Sequence, residues 1–317
     1  MKILILISII ILGLIITITP AFAKISDSLD SFYTYDIQTG ELAIMWLGPH
    51  QKGPSQGYAS AGFLLKTSNH IVAIDPSSIL LGNIDSLDRL DVIFITHEHG
   101  DHFDPDTTTA MQTKTGSLVV TDLTSASMLS EIPEDKIIQI ESNEQMTISE
   151  ITVKALEAEH PTATPLVYLI ELDGIRIFHG SDSGFVEELK NIESRVHVSL
   201  VPVGDPSPTA APQVAFNMTK ATKPNFAIPM HGIPEQMHFF SELVEESELE
   251  TTVTIPSPLQ LMILSEDLMK IERISELTPK IPEWVRNIFI WYGEDKISED
   301  ELIGALQYLI QEGIIKV

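Results

Sequence analysis

The chain has 317 residues, with 45 Asp plus Glu against 19 Lys plus Arg, a formal net charge of −26 and no cysteine. A charge of this sign repels phosphate backbones, and no basic stripe offsets it, so nucleic-acid binding through counterion release is excluded. Without thiols there is no disulfide, thiolate-ligated zinc, iron–sulfur cluster or cysteine nucleophile, and metal chemistry must use His, Asp and Glu.

In chain order, the first segment is one for removal. Met1-Lys2 is a minimal basic start, residues 3–19 are apolar apart from Ser8, Gly13, Thr17 and Thr19, and Ala21-Phe22-Ala23 has the small-x-small form of a signal-peptidase site. Residues 1–23 therefore read as a signal peptide cleaved after Ala23 from a secreted or cell-surface protein. Left uncleaved, the run would be a membrane anchor at the short end of what spans a bilayer. Cleavage takes away one lysine and no acid, so the mature chain is more negative by one.

Short strand patterns follow at 42–47, 62–67 and 71–75, the last two flanking the hairpin signal Ser68-Asn69. Leu90 to Thr96 is a nearly continuous apolar run, as in a strand buried on both faces with chemistry where it ends. Further strands are expected at 118–120, 137–140 and 151–153, then a hairpin from 166 to 178 turning at Asp173-Gly174, then strands at 196–203, 226–229, 252–255 and 261–264. Helices are expected near 104–113, 183–191, 211–222 and 235–247. Hairpins precede a strand–helix alternation in each half. The expected fold class is α/β, an αββα sandwich of two mixed sheets face to face with helices outside, over residues 24–277.

The tail differs. Pro282 starts a helix pattern with Trp284, Val285, Ile288 and Phe289 on one face, and Ser298-Glu299-Asp300-Glu301 is a capping box opening a second helix. Residues 281–317 read as a two-helix hairpin joined at Thr278-Pro279-Lys280. The segment resembles a short helical module at the ends of secreted archaeal proteins, which brings no chemistry with it but suits a protein or cell-surface partner.

The informative string is Thr96-His97-Glu98-His99-Gly100-Asp101-His102-Phe103-Asp104. Residues two apart on an extended chain face the same way, so His97 and His99 can project into one site, while Glu98 points away. Gly100 is expected to allow a sharp turn that returns Asp101 and His102 to the same region. Imidazole and carboxylate donors suit zinc best, with manganese, iron or cobalt as alternatives. The bland reading is a polar loop capping the next helix through Asp104.

The string matches the His-x-His-x-Asp-His signature of the metallo-β-lactamase superfamily, and the chain resembles that family from about residue 42 to 264. Glu157-Ala158-Glu159-His160, Gly180-Ser181-Asp182-Ser183-Gly184 and Pro229-Met230-His231-Gly232 resemble its later ligand segments in order, with Ser181 where glycine is commoner. The resemblance implies His97, His99 and His160 on one metal ion, Asp101, His102 and His231 on a second, Asp182 bridging them, and Asp75 acting from behind the ligands. Trp46-Leu47-Gly48, Gly62-Phe63-Leu64-Leu65 and Ile74-Asp75-Pro76 are similar to the ascorbate-phosphate lactonase-like branch. The insertion from Pro49 to Ala61 and Gly204-Asp205-Pro206 depart from that branch, in loops where substrate selection is made.

Two such ions share a hydroxide that attacks a lactone, ester, amide or phosphodiester, with Asp101 orienting it and passing its proton to the leaving group. The ions also leave a local positive excess, which favours an anionic or carbonyl-bearing small molecule. The alternative from another class is a non-catalytic metal-binding surface protein attached through its tail. His99 disfavours the diiron reductase branch, which resembles His-x-Glu-x-Asp. His179 reads as a hydrogen-bonded core histidine or a substrate-facing group, His238 as a helix-surface residue, and His50, His70 and His197 join no constellation.

Overall fold

A computed structural model describes residues 25–48, 61–163, 165–192, 196–265, 271–273, 296 and 298–311. The signal-peptide segment, the Pro49–Ala61 insertion apart from Ala61, and the first helix expected in the tail lie outside the described residues.

The chain divides into two compact units, Met1–Glu272 and Arg273–Val317. The larger opens with α1 (Ile25–Thr34) and β1 (Glu41–Trp46), then β2 (Phe63–Lys66), β3 (Ile71–Ile74), β4 (Val92–Phe94), α2 (Pro105–Thr115), β5 (Leu118–Thr121), α3 (Leu123–Ser127) and β6 (Ile137–Gln139). The second half continues with β7 (Gln145–Ile148), β8 (Ile151–Glu157), β9 (Leu166–Leu172), β10 (Ile175–His179), β11 (Val198–Pro202), α4 (Pro212–Thr222), β12 (Phe226–Met230), α5 (Pro234–Glu245), β13 (Thr252–Val253), β14 (Leu261–Ser265) and β15 (Ile271–Arg273).

One sheet has eight strands in the order β15-β14-β1-β2-β3-β4-β5-β6, and the other seven in the order β13-β12-β11-β10-β9-β8-β7. Both are mixed. β3 to β6 run parallel in the first and β10 to β13 in the second, with antiparallel hairpins beside them. The buried faces form one core, with Ile44, Phe63, Ile74, Phe94 and Val120 from the first sheet and Val153, Tyr168, Ile177, Leu200 and Ile228 from the second. Burying such side chains is the main favourable term in folding. The expected sandwich of two mixed sheets with outer helices is the observed fold.

Several elements differ from expectation. At 183–191 only the 3-10 turn Glu187–Asn191 forms. The residues before it are tied into loops, since Ser183 N donates to Gly180 O and Gly184 N to Glu159 O, leaving no run of amides for a helix. β7 escaped notice because it is a four-residue edge strand whose polar, exposed positions alternate with only two apolar ones. α1 directly follows the segment set aside for removal. It buries Leu29 and Phe32, and the Lys66 ammonium donates to the carbonyls of Phe32, Tyr33 and Tyr35 at 3.2, 2.8 and 2.7 Å. A cation from β2 thereby satisfies carbonyls that a helix C-terminus leaves bare.

In the smaller unit α6 (Glu299–Gln311) opens on Ser298, whose Oγ accepts from Glu301 N at 3.3 Å while Glu301 Oε2 accepts from Ser298 N at 2.7 Å. That exchange is a capping box.

Candidate metal centre

The carboxyl ends of the parallel strands of both sheets point the same way, and the candidate ligands follow those ends. Asp75 follows β3, the His97–His102 string follows β4, His160 follows β8, Asp182 follows β10 and His231 follows β12. Two cross-sheet bonds fix the string against the second sheet. Tyr168 Oη donates to Ile95 O at 2.7 Å, and Leu166 N donates to Thr96 O at 3.0 Å. The turn itself closes through His102 N and Phe103 N, both donating to His99 O, while Ser77 Oγ holds Gly100 O at 3.1 Å. A Cβ at Gly100 would meet open space and its φ is not left-handed, so these bonds make the turn, not glycine's freedom. Asp104 does cap α2, accepting from Thr107 N at 2.9 Å.

The side chains converge into two groups. Ligand atoms of His97, His99 and Asp182 lie within 4.8 Å of one another, and so do those of Asp101, His102 and His231. Asp182 lies between them, with Oδ1 3.8 Å from His97 Nε2 and Oδ2 3.9 Å from His102 Nε2. His160 joins the first group through Asp182. Its Nε2 is 3.1 Å from Asp182 Oδ2, its Nδ1 accepts from Thr162 N at 3.3 Å, and its ring centroid is 5.1 Å from that of His99. Glu98 is in neither group.

Each inward nitrogen is aimed from behind. His102 Nδ1 is 2.8 Å from Asp75 Oδ2, His97 Nδ1 is 3.1 Å from Thr96 Oγ1, and His231 Nδ1 is 3.3 Å from Gly204 O. An acceptor behind one ring nitrogen holds the proton there and leaves the other nitrogen free to ligate. Asp75, fully buried, also accepts from Thr96 N at 2.8 Å and Thr96 Oγ1 at 2.7 Å, and Ser181 Oγ donates to Thr96 Oγ1 at 2.9 Å. Thr96 is thus the hub behind both groups. Sequence reasoning quoted it only as the residue before the first histidine, and noted Ser181 only as a departure from glycine. Asp75, Ser181 and His231 have φ of 44°, 52° and 48°, a left-handed conformation that side chains other than Gly and Asn rarely adopt. Such backbone persists where surrounding bonds over-determine it, as here.

The residues fit divalent ions. His97 Nε2, His102 Nε2 and Asp182 Oδ1 are buried with no hydrogen-bond partner among the described residues. Buried polar atoms left without a partner are costly unless something satisfies them, and imidazole and carboxylate together are the donor set of zinc and its first-row neighbours. Burial, then the facing His102 and His99, hold His97 well below the usual imidazole range. Burial would lower His102 too, but the charge of Asp101, then the bond and charge of Asp75, push it up to about 9. Burial opposes ionisation of Asp101, but His102 and the bonded His231 outweigh it and hold the carboxyl well below the usual range.

His179 is a satisfied core histidine, with Nε2 2.8 Å from Ala61 O and Nδ1 accepting from Ser181 N. His238 is exposed on α5. His70 is buried between Asp91 and Asp173, 3.8 Å from each, at the end away from the site.

Residues 56–231 match the family model described as a beta-lactamase superfamily domain. The chain belongs to the metallo-β-lactamase superfamily. It is 34% identical over 175 residues to a UPF0173 protein of Pyrococcus abyssi, covering 55% of this chain and 80% of that one. It is 25% identical over 223 residues to a UPF0173 metal-dependent hydrolase of Polynucleobacter asymbioticus, covering 61% and 74%. The fold is similar to that of the metallo hydrolase Igni18 from Ignicoccus hospitalis, with a TM-score of 0.58, 20% identity, and coverage of 71% of this chain and 99% of that one.

Proposed function

We propose that this metallo-β-lactamase superfamily member, a metal-dependent hydrolase, cleaves a lactone, ester, amide or phosphodiester in a small molecule outside the cytoplasm. The observation that carries the reading is the convergence of His97 Nε2, His102 Nε2 and Asp182 Oδ1, all buried and unpartnered among the described residues, on one cleft between two ligand groups. His97, His99 and His160 would hold one divalent ion, Asp101, His102 and His231 the other, with Asp182 between them. Zinc best fits donors of this kind. Such ions polarise the scissile oxygen and make water acidic enough to supply a nucleophile near neutral pH.

The chain's own groups do the rest. Asp101 Oδ2, 3.2 Å from His231 Nε2, is an ionised carboxylate able to take the proton of the attacking water and return it to the leaving group. Asp75 keeps the His102 proton on Nδ1, so Nε2 faces the cleft. Export is supported by the Lys2 start, the apolar run and Ala21-Phe22-Ala23, and is tested by the N-terminal residue of the protein recovered from its native host.

The test of the activity is hydrolysis of a lactone, ester, amide and phosphodiester panel by the zinc-loaded chain, before and after chelation. Turnover that chelation abolishes and zinc restores supports the reading. A zinc-replete, folded chain inert to the whole panel, or turnover indifferent to chelation, rejects it.

A further inference from the structure

Charge is sorted along the strand direction of the larger unit. The connections leaving the carboxyl ends of β3, β4, β5, β6, β8, β10, β11 and β12 lead toward the ligand groups, and up to the next helix, strand or 3-10 turn (Leu81–Ser86 after β3, Glu187–Asn191 after β10) they contain no lysine or arginine among the described residues. They carry instead Glu98, Asp104, Asp122, Glu141, Glu144, Glu159 and Asp205, besides Asp75, Asp101 and Asp182. The cations lie elsewhere. Lys66 ends β2, Arg89 precedes β4, Lys114 and Lys220 lie in the last turns of α2 and α4, Lys136 precedes β6, and Arg176 begins β10, all at the opposite end. Lys154 is in mid-strand on β8, and Lys190 is paired with Glu187. Lys223 caps the end of α4, and in sequence the β1–β2 connection adds Lys52 and the β10–β11 connection Arg195, both outside the described residues.

Two divalent ions do not reverse this sign. Asp75, Asp101 and Asp182 offset most of their charge, and the remaining carboxylates are surplus. Glu159 and Asp205 are exposed at the rim and Glu98 is half-exposed, so their field acts on whatever part of a substrate extends outward from the cleft.

We propose that the site selects substrates whose non-reacting part is neutral or cationic and discriminates against an anionic one. The proposal rests on the hydrolase reading of the cleft and reverses the expectation of an anionic substrate drawn from the metal charge alone. The ions act at the reacting atoms, where a developing negative charge is stabilised, whereas the rim sees the rest of the molecule. A cationic or uncharged ester, amide or lactone fits both zones. A substrate with a terminal phosphate or carboxylate fits only the inner one.

The experiment uses three short-chain hydroxamic acids, whose hydroxamate binds the ions, alike except for a far end that is trimethylammonium, methyl or sulfonate. Dissociation constants are measured on the zinc-loaded full chain at low and high salt. The cationic probe should bind about tenfold tighter than the anionic one at low salt, with the methyl probe between, since exposed carboxylates roughly 10 Å away act through a solvent-like dielectric. The spread should collapse at about 0.5 M salt, where screening is nearly complete beyond a few ångströms. Replacing Glu98→Gln and Glu159→Gln together should narrow it. Equal or tighter binding of the sulfonate probe overturns the proposal, as does a preference that salt does not change. Failure of all three probes to bind overturns both the proposal and the metal-centre reading. The same three far ends on a carboxylic ester separate the two claims, because the expected binding order without turnover sinks the hydrolase reading alone.

Discussion

Gln236, in the first turn of α5, touches no candidate ligand, yet it clamps the loop that aims one. Its Oε1 accepts from Asp205 N at 3.1 Å and Ile233 N at 3.0 Å, and its Nε2 donates to Asp205 Oδ2 at 3.1 Å. The clamped loop is coupled to His231 twice, through Gly204 N donating to His231 O at 2.9 Å and Gly204 O beside His231 Nδ1 at 3.3 Å. A Cβ on Gly204 would strike the Gln236 amide, so the two residues are fitted to each other. In Gln236→Ala the two bonds to backbone amides lose about 1 kcal/mol each and the bond to the Asp205 carboxylate somewhat more, but Asp205 is exposed and water replaces part of it, for a net of about 2 kcal/mol. Released from its backing, His231 should weaken the Asp101–His102–His231 group by about 10- to 100-fold in zinc affinity, the usual cost of removing a partner behind a ligand. Competitive zinc titration resolving two binding steps reads this directly, with denaturant unfolding of the metal-free chain alongside. One step should weaken and the other should stay within about threefold, because the clamped loop reaches His231 directly and the first group only through the shared residue Asp182. Equal weakening of both steps would reduce Gln236 to a helix cap and refute the reasoning, as would no change in either. Gly204→Ala combined with Gln236→Ala should cost less than the sum of the single changes, because the clash partner is gone.

Asp75→Asn should weaken the same zinc step by about 10- to 100-fold, because an amide has one acceptor oxygen and cannot serve Thr96 N on one side and Thr96 Oγ1 with His102 Nδ1 on the other, so the His102 tautomer is no longer fixed. An unchanged two-step titration would contradict that role. Lys66→Met should free the end of α1 and cost about 2–4 kcal/mol, since three carbonyls lose a charged donor. Amide exchange of residues 25–35 should rise while the two zinc steps stay in place. In the metal-free chain His102 is raised from 6.5 to about 9, so its stabilising contribution is fully present below about 6.5 and is lost as pH rises through about 9. That loss is on the order of 3 kcal/mol, read as a fall in metal-free denaturant stability between about pH 7 and 9 that His102→Gln flattens. Unchanged stability over that window would show the raised value to be wrong.

The fold was legible where one pattern determined one outcome. The apolar runs of β4, β11 and β12 could only be buried strands, and Asp173-Gly174 and Ser68-Asn69 marked hairpins that form as expected. β7 and α1 were illegible for different reasons. β7 is stabilised by its ladder with β8 and not by its own polar side chains, and α1 depends on Lys66, more than thirty positions away. At the site, the ligand types were visible because four of the seven, His97, His99, Asp101 and His102, occupy one short dense string, and the family resemblance pointed to the other three. The groups behind them were not, because Thr96, Ser181 and Gln236 owe their roles to partners from distant strands, and no local periodicity records a partner. The acid-only rim was equally invisible in a net charge of −26, since the total says nothing about where charges gather.

The central claim is that two groups of imidazole and carboxylate ligands hold ions that carry out hydrolysis. The most direct test is zinc stoichiometry by elemental analysis on the intact chain and on His102→Ala and His97→Ala, with turnover on the hydrolase panel measured on the same samples. The account predicts two ions per chain, close to one in each variant, and turnover lost in both. Two ions retained in both variants, or full turnover with an ion missing, would contradict it.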